Sequence, residues 1–313
     1  MKNTKDTLKR WDVLGMGIIA VDEVLVVDAY PPPDTKTRVE SWERHGGGLA
    51  GTALIAAARL GARCAYAGVL GEDELSCWSI ENLEAAGVDC SRALRIPQAR
   101  PFHAVIVVDQ TAHTRTILFT QEGTEPRPVE SIDEEFLVET GVLLIDHFGV
   151  DAMLRAAKIA RQLGVPVVAD IERDDEPNTH ELVRTVDHLI LSWDFAARFT
   201  GASRPEDAVQ QLASDTQRAC TAVTAGRDGA WYATDQEGGS IDHLPAFAVD
   251  VVDTTGCGDV FHGAYAAALA GGWEIRRSLQ FAAAAAAIKA TRPGGQQGAP
   301  DRATVERFLE DPC

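Results

Sequence analysis

Short apolar runs recur along this chain, too brief for helices and flanked by polar or glycine-rich breaks. WDVLGMG (11–17), CAYAGVLG (64–71), GVLLIDHF (141–148), VPVVADI (165–171), HLILS (188–192) and ACTAVTA (219–225) read as buried strands. DEVLVVDAY (22–30) reads as another. Between the later runs, MLRAAKIARQLG (153–164), the segment around 179–186 and EDAVQQLAS (206–214) carry apolar residues at helical period. LAGTALIAAARLG (49–61) and ELSCWSIENLEAAG (74–87) read as helices stopped by Gly61 and Gly87. Uninterrupted apolar strands alternating with amphipathic helices predict an α/β fold: a doubly wound, mostly parallel sheet with helices on both faces.

Two stretches break the rhythm. After PPP (31–33), which cannot pair in a ladder, TKTRVESWERH (35–45) alternates like a strand with one wet face. PFHAVIVVDQ (101–110) and TRTILFT (114–120) are β-rich runs joined by a short polar link. Insertions at about 29–46 and 95–121 are therefore expected to form a small β lid on one domain spanning 11–313, with a flexible tail over 1–10. No internal repeat is visible.

The chain has 313 residues and a formal net charge of −18, a field that repels nucleic acid and anionic membrane surfaces. No apolar run approaches the roughly 18 residues of a membrane span, and the polar N-terminus lacks a signal-peptide core. Any bound phosphate must then be held by local backbone N–H groups or a metal rather than by a basic surface. The six cysteines (Cys64, Cys77, Cys90, Cys220, Cys257, Cys313) form no CxxC and no zinc spacing, as expected of reduced thiols in a cytoplasmic protein.

The most informative segment is VDVVDTTGCGDVFHGAYAAALAGG (249–272). Gly256 and Gly258 flank Cys257 and permit a tight turn, and Asp259 follows at the start of an Ala-rich helix. A helix N-terminus presents free N–H groups and the positive end of its dipole, and nearby glycines let an anion come close. An anion hole beside a carboxylate suits phosphoryl transfer to an alcohol: amides stabilise the moving phosphate and the carboxylate accepts the hydroxyl proton. Alone, a short GxGD is more often a plain loop with a first-turn acid.

The wider context changes that weighing. DTTGCGD (253–259) followed by VFHGA resembles the second signature of the ribokinase-like, or PfkB, carbohydrate kinases, with Cys257 at the family's usual Ala. GGGLAGTALIAAARLGA (46–62) is similar to the first signature, GVLGED (68–73) to the stretch after it, AVTAGRDGAWY (222–232) to the nucleotide-phosphate strand and turn, and ATRPGGQQGAP (290–300) to the C-terminal nucleotide loop. The match runs in order from about residue 12 to 310.

The resemblance implies roles. Asp259 would be the catalytic base, with Gly256, Cys257 and Gly258 supplying anion-hole amides. Asp22 would bind sugar hydroxyls, and Gly47 and Gly48 would let sugar approach the backbone. Thr224, Gly226 and Gly229 would line the nucleotide phosphates; Ala283, within the run 282–287, and Gly294 would border adenine. Asp253 and Thr255 match positions linked in some members to a monovalent cation such as K⁺. ATP and Mg²⁺ are the implied cofactors, and a primary alcohol is the acceptor.

Two departures stand out. Thr52 replaces a substrate-contacting Asn of the first signature, a shorter donor and acceptor. The family's Mg²⁺-organising Asn-x-x-Glu is replaced by Ser192-Trp193-Asp194-Phe195, leaving Asp194, or Asp170 and Glu172, as candidates for that role. Within the family the nearest resemblance is to sulfofructose and ketose kinases. Asp146-His147-Phe148-Gly149 lacks the arginine a sulfonate-specific member should carry, so a neutral furanose such as fructose or ribose is as well supported. Lys36, in the lid, is the remaining substrate-side cation.

Rival readings are a nucleoside kinase, with Phe102 and Trp42 as lid aromatics, and a non-catalytic sugar sensor on the same fold. GGGLAG (46–51) formally fits a dinucleotide GxGxxG, but the run before it is too polar for a central parallel strand. Cys257, at a helix start that can lower a thiol pKa, is a candidate for oxidative inhibition. The exposed edges expected of the lid suggest a homodimer in which lids pair.

Overall fold

The computed structural model describes residues 9–214, 218–235 and 240–310; most of the expected tail and Cys313 lie outside them. A nine-stranded sheet forms the centre. Trp11–Met16 lies between Thr140–Asp146 and Cys64–Tyr66, with Val88–Asp89 beyond the latter. On the other side follow Val167–Asp170, His188–Ser192 and Cys220–Thr224, all parallel. Ala230–Thr234 and Ile241–Leu244 extend that edge antiparallel.

The continuous apolar look of these strands has a direct cause. Successive side chains face opposite sides of a sheet, and here both sides are covered. Val13, Leu144, Val168 and Ile190 join one core, packed with the helices Leu49–Arg59, Cys257–Ala270 and Ile275–Ala290. Their neighbours Leu14, Leu143, Ile145, Val167 and Leu189 join the other, packed with Val150–Leu163, Trp193–Thr200 and Pro205–Ser214.

A second, four-stranded sheet runs Ser41–Gly47, Ala20–Val27, Phe102–Asp109, Thr114–Thr120, with the middle pair parallel and both outer pairs antiparallel. This corrects the reading of 22–30 as a strand buried like its predecessor. Ala20–Val27 pairs with Phe102–Asp109 in the small sheet and is buried only in alternation. The run 64–71 also divides: Cys64–Tyr66 enters the large sheet, whereas Val69–Leu70 pairs with Leu94–Arg95. The glycine triplet closes an antiparallel strand of the small sheet, Gly46 and Gly47 pairing with Val21 and Ala20, which removes the dinucleotide reading.

The parallel strands end level in two pairs, Asp146 beside Asp170 and Ser192 beside Thr224, the second pair running two residues further. Ligands of open α/β sheets bind along such a carboxyl edge. Among the described residues no helix is long and apolar enough to cross a membrane.

Candidate active site

The turn before Cys257–Ala270 meets the expectation set by its glycines. Gly256 has φ 74°, and a Cβ there would stand 2.9 Å from Gly295 Cα. A Cβ at Gly258 would meet nothing within 4 Å, so the chain faces open space at that point. Cys257 N donates to Thr254 O (3.2 Å) and Val260 N to Gly256 O (2.9 Å). Among the described residues, the Gly258 and Asp259 amides between them take no backbone acceptor. They are orphan donors of a helix start.

Asp259 sits in the first turn of this helix. Burial pushes its pKa well above the usual carboxylate range, and the negative charges of Asp170, Glu172, Asp146 and Asp22 push it further. Asp146 and Asp170 end adjacent strands, so the large sheet itself delivers them. Asp146 accepts from Ile18 N (2.6 Å) and Phe148 N (2.9 Å), and its pKa is raised by burial to about 7. Gly17 is required beside it, because a Cβ there would overlap the Asp146 carboxyl. His262, one turn beyond Asp259, brings Nδ1 within 2.8 Å of Gly258 O and 3.1 Å of Asp170 Oδ2, and Nε2 within 3.0 Å of Ile190 O. Burial raises the Asp170 pKa and lowers that of His262, in both cases against the charged form, while the Ile190 and Gly258 carbonyls oppose the shift of the ring.

Of the substrate-side candidates, Asp22, Gly47, Gly48 and Thr52 lie where Ala20–Val27 meets the end of Ser41–Gly47 and the helix after it, and Lys36 is not brought to them. Asp22, on Ala20–Val27, is raised in pKa by burial, opposed by His45 and His103. Its Oδ2 lies 2.6 Å from where a Gly47 Cβ would be, so only glycine leaves room for it. Gly48 has φ 84°, and a Cβ there would strike Ile18 O and lie 2.8 Å from Ala20 N. Thr52 is buried in the helix that follows, and its Cγ2 would be 3.3 Å from a Gly256 Cβ. The first signature thus abuts the second. Lys36 is exposed in the connection between Ala20–Val27 and Ser41–Gly47.

On the nucleotide side, Thr224 ends its strand and Gly226–Asp228 forms the succeeding turn, closed by Ala225 N to Gly229 O (2.8 Å). Gly229, at φ 87°, would collide with Leu244 O if it carried a Cβ. Ala283 is half-buried in Ile275–Ala290. Gly294 N donates to Asp253 Oδ2 (2.8 Å) and Thr255 N to Asp253 Oδ1 (2.8 Å), so one carboxylate ties the loop before Cys257–Ala270 to the C-terminal loop. Asp194 is exposed on Trp193–Thr200, whose first turn is capped by Ser192 and whose Phe195 is core. Of Asp170, Glu172 and Asp194, the first two act on Asp259 and Asp194 does not. Burial raises the Cys257 pKa, with Lys289 only opposing it, which overturns the expectation of an activated thiol at this helix start.

Several participants were not singled out in the sequence. Gln296, buried, donates to Gly47 O (3.3 Å) and accepts from Asn82 (2.8 Å), joining the C-terminal loop to the base of the small sheet. Arg59 donates to Gln296 O (2.6 Å) and Ala299 O (2.9 Å) in the same loop. Arg115, on the edge strand Thr114–Thr120, reaches Thr255 Oγ1 and lies 3.6 Å from Asp253 Oδ1. None carries a local pattern; each is defined by a contact across more than a hundred residues or between two sheets.

A profile described as pfkB family carbohydrate kinase matches residues 12–302. This chain belongs to that family. It is therefore a phosphotransferase with an alcohol group as acceptor. The ATP-dependent ribose-1-phosphate kinase of Halopiger xanaduensis is 29% identical over 300 residues, covering 96% of this chain and 98% of the relative. The ribokinase of Haemophilus influenzae is 25% identical, over 94% of this chain and 97% of its own. The Thermotoga maritima ribokinase structure superposes with a TM-score of 0.82 at 26% identity, covering 96% of this chain and all of the other (100%). The structure of Arabidopsis thaliana ribokinase complexed with ribose and ATP shares the fold, with a TM-score of 0.84 at 24% identity over 95% and 98% of the two chains.

Proposed function

We propose that this pfkB-family kinase transfers the γ-phosphoryl group of ATP to a primary hydroxyl of a furanose-type sugar, ribose, fructose or a related ketose, with Asp259 as base. The observation that carries the reading is a single turn. Asp259, its pKa raised, starts the helix whose Gly258 and Asp259 amides are open. A carboxylate with raised proton affinity beside open main-chain amides is what in-line transfer to an alcohol requires. The hydroxyl proton passes to the Asp259 carboxylate as the oxygen bonds to phosphorus; the bond to the β-phosphate oxygen breaks and ADP leaves. Charge spreading over the phosphoryl oxygens falls on the open amides.

Asp22, half-buried against Gly47, is placed to hold sugar hydroxyls. His103 Nε2 is a buried atom without a partner on the neighbouring strand, and a hydroxyl would satisfy it. The donor chemistry also suits Mg²⁺, which neutralises charge on the β- and γ-phosphates. Asp170 and Glu172 are oxygen donors beside Asp259. Among the described residues no three such side chains form a cage, which fits an ion that keeps waters and binds through one or two carboxylates plus phosphates. The small sheet would act as the lid, and its uncovered edge strand would seat a second copy of the chain.

The test is Asp259→Asn, assayed by sugar-dependent ADP release and, separately, by sugar and ATP binding. Binding should persist while release collapses. Near-normal turnover would remove Asp259 from its role.

A further inference from the structure

The loop expected to take a free monovalent cation already holds a cation of its own. Lys289, the penultimate residue of Ile275–Ala290, is fully buried at 0% exposure. Its Nζ donates to Asp253 O (2.7 Å) and Arg292 O (3.2 Å) and stands 3.6 Å from Asp253 Oδ2. Three N–H bonds thus face two carbonyl oxygens and a carboxylate, the hard oxygen set that would otherwise ligate a univalent metal ion. The stem is as confined as the head: a Cβ on Gly298 would lie 3.1 Å from Lys289 Cε.

The position is at the junction of the site. Asp253 opens the anion-hole loop, and Arg292 opens the C-terminal loop whose Gly295 packs on Gly256. Asp253 N and Val252 N both donate to Ala290 O, at 3.1 and 2.8 Å, holding the first loop against the end of the lysine's own helix. A half-buried carboxylate and inward carbonyls with no positive charge between them would repel one another and spread the two loops. A second univalent cation placed among the same oxygens would meet the ammonium.

Resting on the kinase reading above, we propose that the Lys289 ammonium is a tethered monovalent cation: it takes the place of free K⁺ in fixing the anion-hole loop, and the enzyme's activity is independent of K⁺. A residue that merely packs would make the same contacts, so the test must ask whether a free ion can replace it.

The experiment uses the full chain in buffers of KCl, NaCl or tetramethylammonium chloride at equal ionic strength. Sugar-dependent ADP release and the thermal midpoint of the nucleotide-free protein are both read. The wild type should show the same rate and midpoint in all three. Lys289→Met keeps the stem and removes the charge; it should lose about tenfold or more in turnover at fixed ATP. It should regain rate and midpoint with K⁺ or NH₄⁺ but not with tetramethylammonium. Saturable activation or stabilisation of the wild type by K⁺ overturns the proposal, and that measurement stands even if the variant does not fold. A folded Lys289→Met protein indifferent to K⁺ and NH₄⁺ overturns it too, leaving the lysine a packing residue. Absence of ADP release with every sugar would count against the kinase reading alone, because the midpoint series would still decide the role of Lys289.

Discussion

Thr140–Asp146 and Thr114–Thr120 are both seven-residue strands with apolar centres, VLLI in one and ILF in the other, and they meet opposite fates. Leu143 and Leu144 in the large sheet are 0% and 2% exposed; Ile117, Leu118 and Phe119 in the small sheet are 49%, 56% and 57% exposed. Composition does not separate them. The first strand lies between two parallel neighbours with helices above and below, whereas the second is an edge strand uncovered on both faces. Each buried apolar side chain of this size contributes about 1.5–3 kcal/mol, so Thr140–Asp146 stabilises the fold while Thr114–Thr120 leaves that contribution unused. The chemistry divides along the same line. The large sheet carries Asp146 and Asp170, whose charges act on Asp259; the small sheet carries Asp22 and Arg115.

The largest effect should fall on the large-sheet side. Asp259→Asn should reduce sugar-dependent ADP release by roughly 10²–10⁴ with little change in sugar affinity. Next comes the uncovered edge. If a second copy covers it, Leu118→Asp with Phe119→Asp should convert a dimer to a monomer in sedimentation while leaving the monomer folded, since both residues are exposed. A wild type that sediments as a monomer at every concentration would break the comparison, because the apolar edge would then serve no partner.

What the sequence showed and what it hid divide by range. The turn at 253–259 was legible because its requirements are local: Gly256 must reach φ 74°, Gly258 must leave space open, and the carboxylate follows at once. The large-sheet strands were legible because burial on both faces leaves mostly apolar positions between their ends. Ala20–Val27 misled because VLVV looks the same in either sheet, and its placement is settled by pairing with Phe102–Asp109, some eighty residues away. Lys289 was hidden for a similar reason. A lysine in the last turn of a helix reads as a solvated complement to the dipole, and only the approach of Asp253 and Arg292 makes it a buried ion. Asp170 and Glu172 were named only as loose alternatives to Asp194, since nothing in the sequence says which acids share an edge with residue 259.

The acids of the large sheet also predict a pH dependence. The Asp146 pKa is about 7 in the folded protein against an ordinary carboxyl value of 3.8. Between those values the native state binds more protons than the unfolded chain, so stability falls as pH rises. The contribution is complete below about pH 4 and is lost as pH climbs through 7. Its slope cannot exceed about 1.4 kcal/mol per pH unit. Asp146→Asn should flatten the decline in thermal midpoint measured from pH 5 to 8. Asp170 and Asp259, also raised, should leave a residual slope. An unchanged slope would mean that Asp146 is ionised throughout.

The smallest expected effect is the most discriminating between the two sheets. Arg115 is the small sheet's contact with the anion-hole loop, reaching Thr255 Oγ1 and Asp253 Oδ1, but its side chain is 46% exposed. An ion pair so open to water contributes under about 1 kcal/mol, and Arg115→Ala should barely move the thermal midpoint. If the small sheet closes over bound nucleotide, however, the same guanidinium lies beside the phosphates during transfer, where its attraction is felt in binding. Arg115→Ala should then raise the KM for ATP about three- to tenfold with a smaller change in kcat, and the wild type's KM should rise more steeply with ionic strength than the variant's. Equal KM values and parallel salt dependences would show that Arg115 is only a surface contact, and that the small sheet acts on the sugar without touching the phosphoryl group.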